Sequence, residues 1–207
     1  MSIKNEKTSM DGLLSRYEDA LKGNIHPEEI YYACRPVLLN PEEINEFLQS
    51  TAKYAEEKEY HRVTGPFITQ LIQNSHDAGN NKFTLNTKAL TEDLNFLGDG
   101  LLGRGNGLLE IMVDGNVGHE CFIWAKDIKR ISISGDAGAL CGWQAENIRD
   151  FYIERIVGAY CGVGAEHSTF KTPNQETLQL LKESVPKGKG NRIYFINPNK
   201  EEDEIRW

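Results

Sequence analysis

The chain has 207 residues and a formal net charge of −8, with 26% charged and 39% hydrophobic residues. This acidic balance argues against nucleic acid as a partner, because a protein that binds nucleic acid needs a basic surface. The chain has no run of about 18 apolar residues that could span a membrane, and its first residues lack the apolar segment of a secretory signal. We therefore expect a cytoplasmic protein that does not bind a membrane.

Residues 1–77 are predicted to form a helical cap region, because apolar residues recur there with helical spacing, as in MDGLLSRYEDALKGN. Asn40 is a suitable N-cap and is followed by a proline and acidic residues, which predicts a helix from this point to about Tyr60. Thr64-Gly65-Pro66 predicts the start of the next helix.

Short alternating segments and glycines replace the helical spacing after this region. Residues 78–172 are predicted to form a β-solenoid, which begins with a strand at KFTLN. Residues 173–207 are predicted to form a helix over NQETLQLLKES, a strand over NRIYFI and an acidic tail exposed to solvent.

A repeat of 20 residues carries the solenoid prediction. Successive copies place equivalent residue types at matching positions, and the pattern fades after His167. The matching sets are Gly98, Gly118, Gly138 and Gly158; Leu101, Cys121, Cys141 and Cys161; Gly105, Ala125, Ala145 and Ala165; Gly107, Asp127, Asn147 and His167; and Leu108, Ile128, Ile148 and Ser168. A short fixed period indicates units that bury their apolar side chains only by stacking on one another.

The spacing within each unit favours strands, since I-x-x-I-x-I alternates over short runs. At about 3.3 Å per residue, one unit would make a coil of about three short strands, with neighbouring coils about 4.8 Å apart. We therefore expect an α+β protein: a short single-stranded β-solenoid with about 20 residues per coil, capped by the N-terminal helical region and a C-terminal helix. Asp127, Asn147 and His167 are expected at a corner, and the glycines of the G-[DN]-x-G segments at bends of positive φ.

The segment ISISGDAGALCG resembles the glycine-rich β-helix (GXGXG) domain shared by glutamate synthase and formylmethanofuran dehydrogenase. The residues that match the family pattern I-x-I-x-G-[DN]-A-G-x-x-x-G are Ile131, Ile133, Gly135, Asp136, Ala137, Gly138 and Gly142. A second, partial copy has Phe122 where the family has glycine, and A-x-[DN]-I replaces the paired glycines of the family's second half-unit. The likeness spans about residues 98–167, and no glutaminase or flavin-binding region accompanies it. It implies a right-handed β-helix with a structural role.

Cys121, Cys141 and Cys161 form one set of the repeat and are expected in a straight row inside the solenoid. Free cysteine is commonly buried as a small apolar group, and a straight row of thiols does not form a tetrahedral metal cage. We therefore expect inert thiols, with no metal site and no cofactor.

Acid–base chemistry is the alternative function for the corner of the repeat. Asp127, Glu146 and His167 are candidate catalytic residues, because carboxylates and a histidine within reach of one another can transfer protons. Neighbouring positions mix charges, with Lys126 in the column of Glu146 and Glu166. Such mixing is typical of a solvated face with cross-strand pairs and favours a structural role.

Two other segments allow a ligand but favour a structural interpretation. Asn74, His76 and Asp77 could coordinate a cation, although these residue types also end helices and form turns. The KGKGN loop at residues 187–191 could hold a phosphate, but it lacks the complete phosphate-binding loop motif.

Phe122, Trp124 and Tyr152 are candidate binding residues, since a group of exposed aromatic side chains marks a contact surface. Strand alternation places Phe122 and Trp124 together on the outward side, whereas Trp143 is expected in the core.

The leading hypothesis from these observations is a non-catalytic structural or protein-interaction module that binds a protein partner or a second copy of itself. The alternatives are a solenoid enzyme that acts on a carbohydrate and a small-molecule binding module at the junction of the helices and the solenoid. Whether the protein is an enzyme stays open at this point.

Overall fold

The computed structural model describes residues 10–23, 29–34, 37–103, 109–197 and 202–205. Its helices and strands, in chain order, are α1 (Met10–Leu21), α2 (Ile30–Cys34), α3 (Pro41–Thr51), α4 (Tyr60–Asp77), β1 (Lys82–Asn86), β2 (Glu110–Asp114), β3 (Arg130–Ile133), β4 (Phe151–Ile153), β5 (Thr169–Thr172), α5 (Gln175–Ser184), β6 (Arg192–Ile196) and β7 (Glu202–Ile205). A short 3-10 helix, Ala52–Tyr54, follows α3. The repeat residues Gly105, Gly107 and Leu108 lie outside the described residues.

The predicted start of α3 is confirmed, but its predicted end is wrong. The Asn40 side chain accepts a hydrogen bond from the backbone of Glu43 (2.9 Å), and the Glu43 carboxylate accepts one from the backbone of Asn40 (2.8 Å). The helix ends at Thr51, and the EEKE segment at residues 56–59 has no apolar side chain to bury. α4 begins earlier than predicted, at Tyr60, because the ring of Tyr60 is buried in the core.

All seven strands belong to one open sheet in the order β1-β2-β3-β4-β5-β6-β7. The pairs are parallel from β1 to β6, and only β6 and β7 pair antiparallel. Ile111, Ile131 and Phe151 are direct partners in β2, β3 and β4, so the 20-residue period is present as the register of the sheet. Their buried side chains form part of the core beneath the sheet.

The expected α+β fold with a β-solenoid is wrong, because the structure is an α/β fold with one mostly parallel sheet. β2, β3 and β4 are 5, 4 and 3 residues long, and each is the one regular strand of its unit within the described residues. Elsewhere in the units only single bridges form, such as Val117 with Ala137. Extended strands do not form there because several residues have positive φ, namely Glu120 (58°), Phe122 (56°), Trp124 (51°) and Asp127 (58°). The same finding corrects the β-helix fold that the family resemblance implies.

Glycines of the repeat allow neighbouring units to approach closely. A Cβ atom on Gly138 would lie 2.5 Å from the backbone carbonyl carbon of Gly118, and one on Gly158 would lie 2.4 Å from the backbone nitrogen of Ala139. Within the G-[DN]-x-G segments only Gly115 has a positive φ, of 134°. The expectation that these glycines serve bends of positive φ is therefore wrong for the others, whose role is to leave room for the adjacent backbone.

Asn116 and Asp136 link successive units through their side chains. Oδ1 of Asn116 accepts a hydrogen bond from the backbone of Asp136 (2.9 Å), and Oδ1 of Asp136 accepts one from the backbone of Ile156 (3.1 Å). Each side chain satisfies a backbone donor of the following unit, which explains the preference for Asn or Asp at this position of the repeat.

The two outer strands of the sheet have different neighbours. The edge of β1 is covered by α3, where Asn45 Oδ1 accepts from the backbone nitrogen of Asn86 (2.8 Å) and Gln49 Nε2 donates to its carbonyl oxygen (2.7 Å). At the other edge β7 pairs with β6, so part of the tail that was expected to be solvated forms a strand. The Glu202 and Asp203 side chains of β7 remain exposed.

Replacing Gly138 by alanine is predicted to lower the free energy of unfolding by about 2–3 kcal/mol, because the new methyl group would overlap the backbone of Gly118. Gly188→Ala is the matched control, since a Cβ atom there meets nothing within 4 Å and only its φ of +73° carries a cost, of about 1 kcal/mol. Urea unfolding followed by circular dichroism measures both. Equal stability of the two variants would contradict the close-approach role.

Candidate functional site

The side chains outside the core form three surfaces. We call them the sheet face, which is made by the outward residues of β2 to β6; the corner strip, made by residues 126–127, 146–147 and 166–167; and the turn face, made by residues 116–120, 136–140 and 156–160 together with Asp93 and Asp99 beside them. Tyr152 lies on the sheet face, and Asp127, Glu146 and His167 lie on the corner strip. The predicted catalytic and binding residues are therefore divided between separate surfaces.

The corner strip is held by contacts between successive units. Asp127 and His167 have positive φ (58° and 50°), which confirms the predicted corner. Asn147 Nδ2 donates to Asp127 Oδ1 (2.6 Å), and Lys126 Nζ lies 2.7 Å from Glu146 Oε2. No hydrogen bond or ion pair joins the side chains of Asp127, Glu146 and His167 to one another among the described residues. The catalytic prediction thus gains no supporting geometry and stays a prediction.

The aromatic group is arranged differently from the prediction. Phe122 is fully buried (0% exposed) and packs edge-on against Phe151, with 5.9 Å between the ring centroids. Its positive φ places it in a turn, where strand alternation does not apply, so Phe122 is not part of an exposed surface. Trp124 is 45% exposed as predicted, and its Nε1 donates to Gln144 Oε1 (2.5 Å). Trp143, expected in the core, is only partly buried and packs on Trp124.

The sheet face carries a chain of ion pairs that crosses the strands. Arg130 Nε lies 3.0 Å from Asp150 Oδ2, and Lys171 Nζ lies 3.6 Å from Asp150 Oδ1 and 2.8 Å from Glu202 Oε1. At neighbouring positions Lys129 pairs with Glu110 at 2.7 Å, and this contact lowers the pKa of the Glu110 carboxyl. The formal charges of these six residues sum to zero, so this set of ion pairs is electrically neutral as a group.

A shallow groove of about 400 Å³ lies on the sheet face beside Met112 and Tyr152. Asp150 also lines it, and Oδ1 of Asp150 is buried without a hydrogen-bond partner within the described residues. The side chain of Met112 is 45% exposed, and Tyr152 and Ile196 are partly exposed. The sheet face therefore combines apolar and aromatic groups with charges that are mostly paired.

A second groove, of about 460 Å³, lies at the junction of α4 and the repeat. This is the place where a small-molecule site was expected. His61 Nε2 lies 3.6 Å from Glu92 Oε2 on one wall. On the other side, Nδ1 of His119 accepts a hydrogen bond from the backbone of Ala139 (3.1 Å), so a neutral His119 ring carries its proton on Nε2. The groove is lined by carboxylates and imidazoles but holds few apolar side chains.

All four cysteines are free and buried. Burial raises the pKa of the Cys121 thiol to about 12. The adjacent Cys161 thiol and burial raise the pKa of Cys141, as expected for sulfurs that stack from one unit to the next. Such thiols stay protonated and are poor nucleophiles near neutral pH.

Native protein is therefore predicted to react with a disulfide reagent such as DTNB at pH 8 only as fast as it unfolds. The absorbance of the thiolate product would stay near baseline in buffer. In denaturant it would rise to the value that corresponds to four reacted thiols per chain. Rapid labelling of a thiol in the folded protein would contradict the inert role.

Asp99 is a partly buried carboxyl group with a like-charged neighbour. Partial burial, and then the nearby Glu120 carboxylate, raise the pKa of Asp99 to about 6. Among the described residues neither side chain forms an ion pair. The ionised form of Asp99 is thus disfavoured in the folded protein.

Asp99→Asn is predicted to raise the free energy of unfolding at pH 7.5 by about 1 kcal/mol, a value reduced for solvent screening of this partly exposed group. The native pKa of Asp99 lies above its ordinary value of 3.8, so wild type loses stability as the pH rises from about 4 to 6, whereas the variant does not. Urea unfolding over this pH range measures the difference. An advantage of equal size at pH 3 would contradict it, and Asp127→Asn serves as a control.

The segment around Asn74 ends α4 and most of its polar side chains have protein partners, although Nε2 of His76 is buried without a hydrogen-bond partner among the described residues. Asn74 Nδ2 donates to the carbonyl oxygen of Cys34 (2.8 Å), and Gln73 Nε2 donates to Asp77 Oδ1 (2.9 Å). The KGKGN loop packs on the corner strip through Lys189, whose Nζ lies 2.9 Å from Glu166 Oε1 and lowers the pKa of that carboxyl. In the part of the chain that the structure describes, no group of His, Cys, Asp and Glu is arranged to hold a metal ion.

Comparison with known proteins gives no match to a family model, a curated protein or a solved structure. The resemblance to the glycine-rich glutamate synthase domain therefore stays an untested prediction. None of the helices in the described ranges is both long enough and apolar enough to cross a membrane.

Proposed function

We propose that this protein is a non-catalytic interaction module whose sheet face binds a partner protein or a second copy of the chain. The observation that carries the proposal is a face of a mostly parallel sheet that the described residues leave open, with a groove beside Met112 and Tyr152. Parallel sheets usually have both faces covered, so an open face with exposed Met112 and partly exposed Tyr152 has a surface to bury.

The composition of the sheet face supports a protein ligand. Met, Tyr and Arg are enriched in protein interfaces, and this face presents Met112, Tyr152, Tyr194 and Arg130. Most of its charged side chains already have partners within the chain, as Arg130 has in Asp150. A binding partner would therefore need few compensating charges of its own.

The size of the sheet face supports reversible binding. Parallel strands of about five residues, about 4.8 Å apart, give β1 to β6 a flat area of roughly 400 Å². A standard interface buries about 800 Å² on each partner, so this face alone suits a transient complex. A stable complex would need contacts from flanking surfaces as well.

Two other features support the proposal. The candidate acid–base residues Asp127 and Glu146 are each engaged by a neighbouring residue of the repeat.

The buried free thiols suit a reducing compartment, which supports a cytoplasmic location.

Tyr152→Ala is predicted to weaken the complex about tenfold or more, because a central aromatic side chain commonly dominates interface energy. The tagged full-length protein is purified gently at native concentration, its mass is measured by light scattering, and binding of the copurified or self-associated partner is then titrated. Trp124→Ala is the matched control, since Trp124 is an exposed aromatic on another surface. A wild-type protein that is monomeric and alone, or equal weakening by both variants, would overturn the proposal.

A further inference from the structure

We propose that the turn face binds a basic segment of a partner protein, with Lys or Arg side chains against Asp93, Asp99 and Glu120 and an apolar side chain against Ile156 and Tyr160. This surface is distinct from the sheet face and differs from it in chemistry. The inference goes beyond the function proposed above and does not depend on binding at the sheet face.

Carboxylates without a basic partner lie at one end of the turn face. Every carboxylate in the ion-pair chain of the sheet face has a basic partner, as Glu202 has in Lys171. Asp93, Asp99 and Glu120 have none among the described residues. The acidic end of the turn face is thus uncompensated within the described part of the chain, and a partner's cations would supply the missing countercharges.

Exposed apolar side chains lie at the opposite end of the turn face. Tyr160 is 66% exposed and Ile156 is 42% exposed, and both belong to the last unit of the turn face. Large exposed apolar groups close together commonly mark protein contacts. The turn face therefore changes from acidic to apolar along the direction in which the units stack.

A surface of short side chains and a groove lies between these two ends. Between the two ends, Ala139 is partly exposed and Ala159 is exposed on the turn face. The 460 Å³ groove opens beside the acidic end, with His61 and Glu92 on its wall. Because the two alanines have short side chains, a bound segment could lie along this surface while its side chains reach both ends.

The pKa of Asp99 agrees with this arrangement. Burial and the Glu120 carboxylate raise it to about 6 in the free protein. A cation placed between the two carboxylates would remove their repulsion and lower that pKa.

The probe is a fluorescein-labelled peptide with an arginine-rich half and a leucine-rich half, and its binding to the full chain is followed by fluorescence anisotropy. The double variant Asp99→Asn, Glu120→Gln is expected to bind about tenfold more weakly and to lose most of the salt dependence. Tyr160→Asn is expected to weaken binding about as much but to keep the salt dependence. Asparagine is chosen because it tolerates the positive φ of Tyr160, which is 63°.

The matched control is the double variant Asp127→Asn, Glu166→Gln, which makes the same change of net charge on the corner strip. Equal weakening by this control would mean that only net charge matters and would overturn the proposal. So would equal binding of a peptide with glutamine in place of arginine, or a rise in Tm with calcium chloride that needs Asp99 and Glu120. Loss of probe binding only in Tyr152→Ala would also overturn it and would assign the site to the sheet face.

Discussion

Main-chain hydrogen bonds between successive units hold the repeat together, in its turns as well as its strands. Gly142 donates to the carbonyl oxygen of Cys121 (2.8 Å), and Gly162 donates in the same way to Cys141 (2.9 Å). Such bonds require the backbones to be in contact, and a side chain on Gly138 or Gly158 would keep them apart. Equivalent residues of successive units therefore lie side by side in rows. One substitution thus changes the contacts with the unit before it and with the unit after it.

The rows give the three surfaces their different characters. On the sheet face opposite charges alternate between neighbouring strands, so Asp150 lies between Arg130 and Lys171. On the turn face the same geometry places Glu120, Leu140 and Tyr160 in one row, all three with positive φ. A row of this kind cannot neutralise its own charge. The side chain at one position of the repeat thus decides whether the charges of a surface are paired within the chain or are left for another molecule to pair.

Much of the local structure followed from the sequence, because short-range chemistry determined it. The Asn40 cap, the strand at KFTLN and the 20-residue register needed only capping rules, alternation and the period. The fold class was wrong because the sequence does not reveal that residues such as Trp124 adopt a left-handed backbone conformation. A non-glycine residue at positive φ is stabilised by its neighbours in space, and a one-dimensional pattern contains little signal for it.

The exposure of the candidate binding residues was predicted only in part, and for a related reason. Alternation assigned Phe122 to the outside, whereas the turn brings its ring into the core. Tyr152 was correctly expected to be accessible, since it lies in a true strand. Asp99 had no motif to mark it, because its raised pKa comes first from burial in the fold and then from Glu120, a residue distant in sequence.

The treatment of the two sheet edges limits how many copies of the chain can join end to end. Asn45 and Gln49 occupy the backbone groups of Asn86 that an incoming strand would need, so α3 opposes pairing at this end of β1. At the last edge the direction reverses, and a second chain aligned there would bring its own acidic residues against Glu202 and Asp203. Edge-to-edge pairing of further copies is thus opposed at both outer strands.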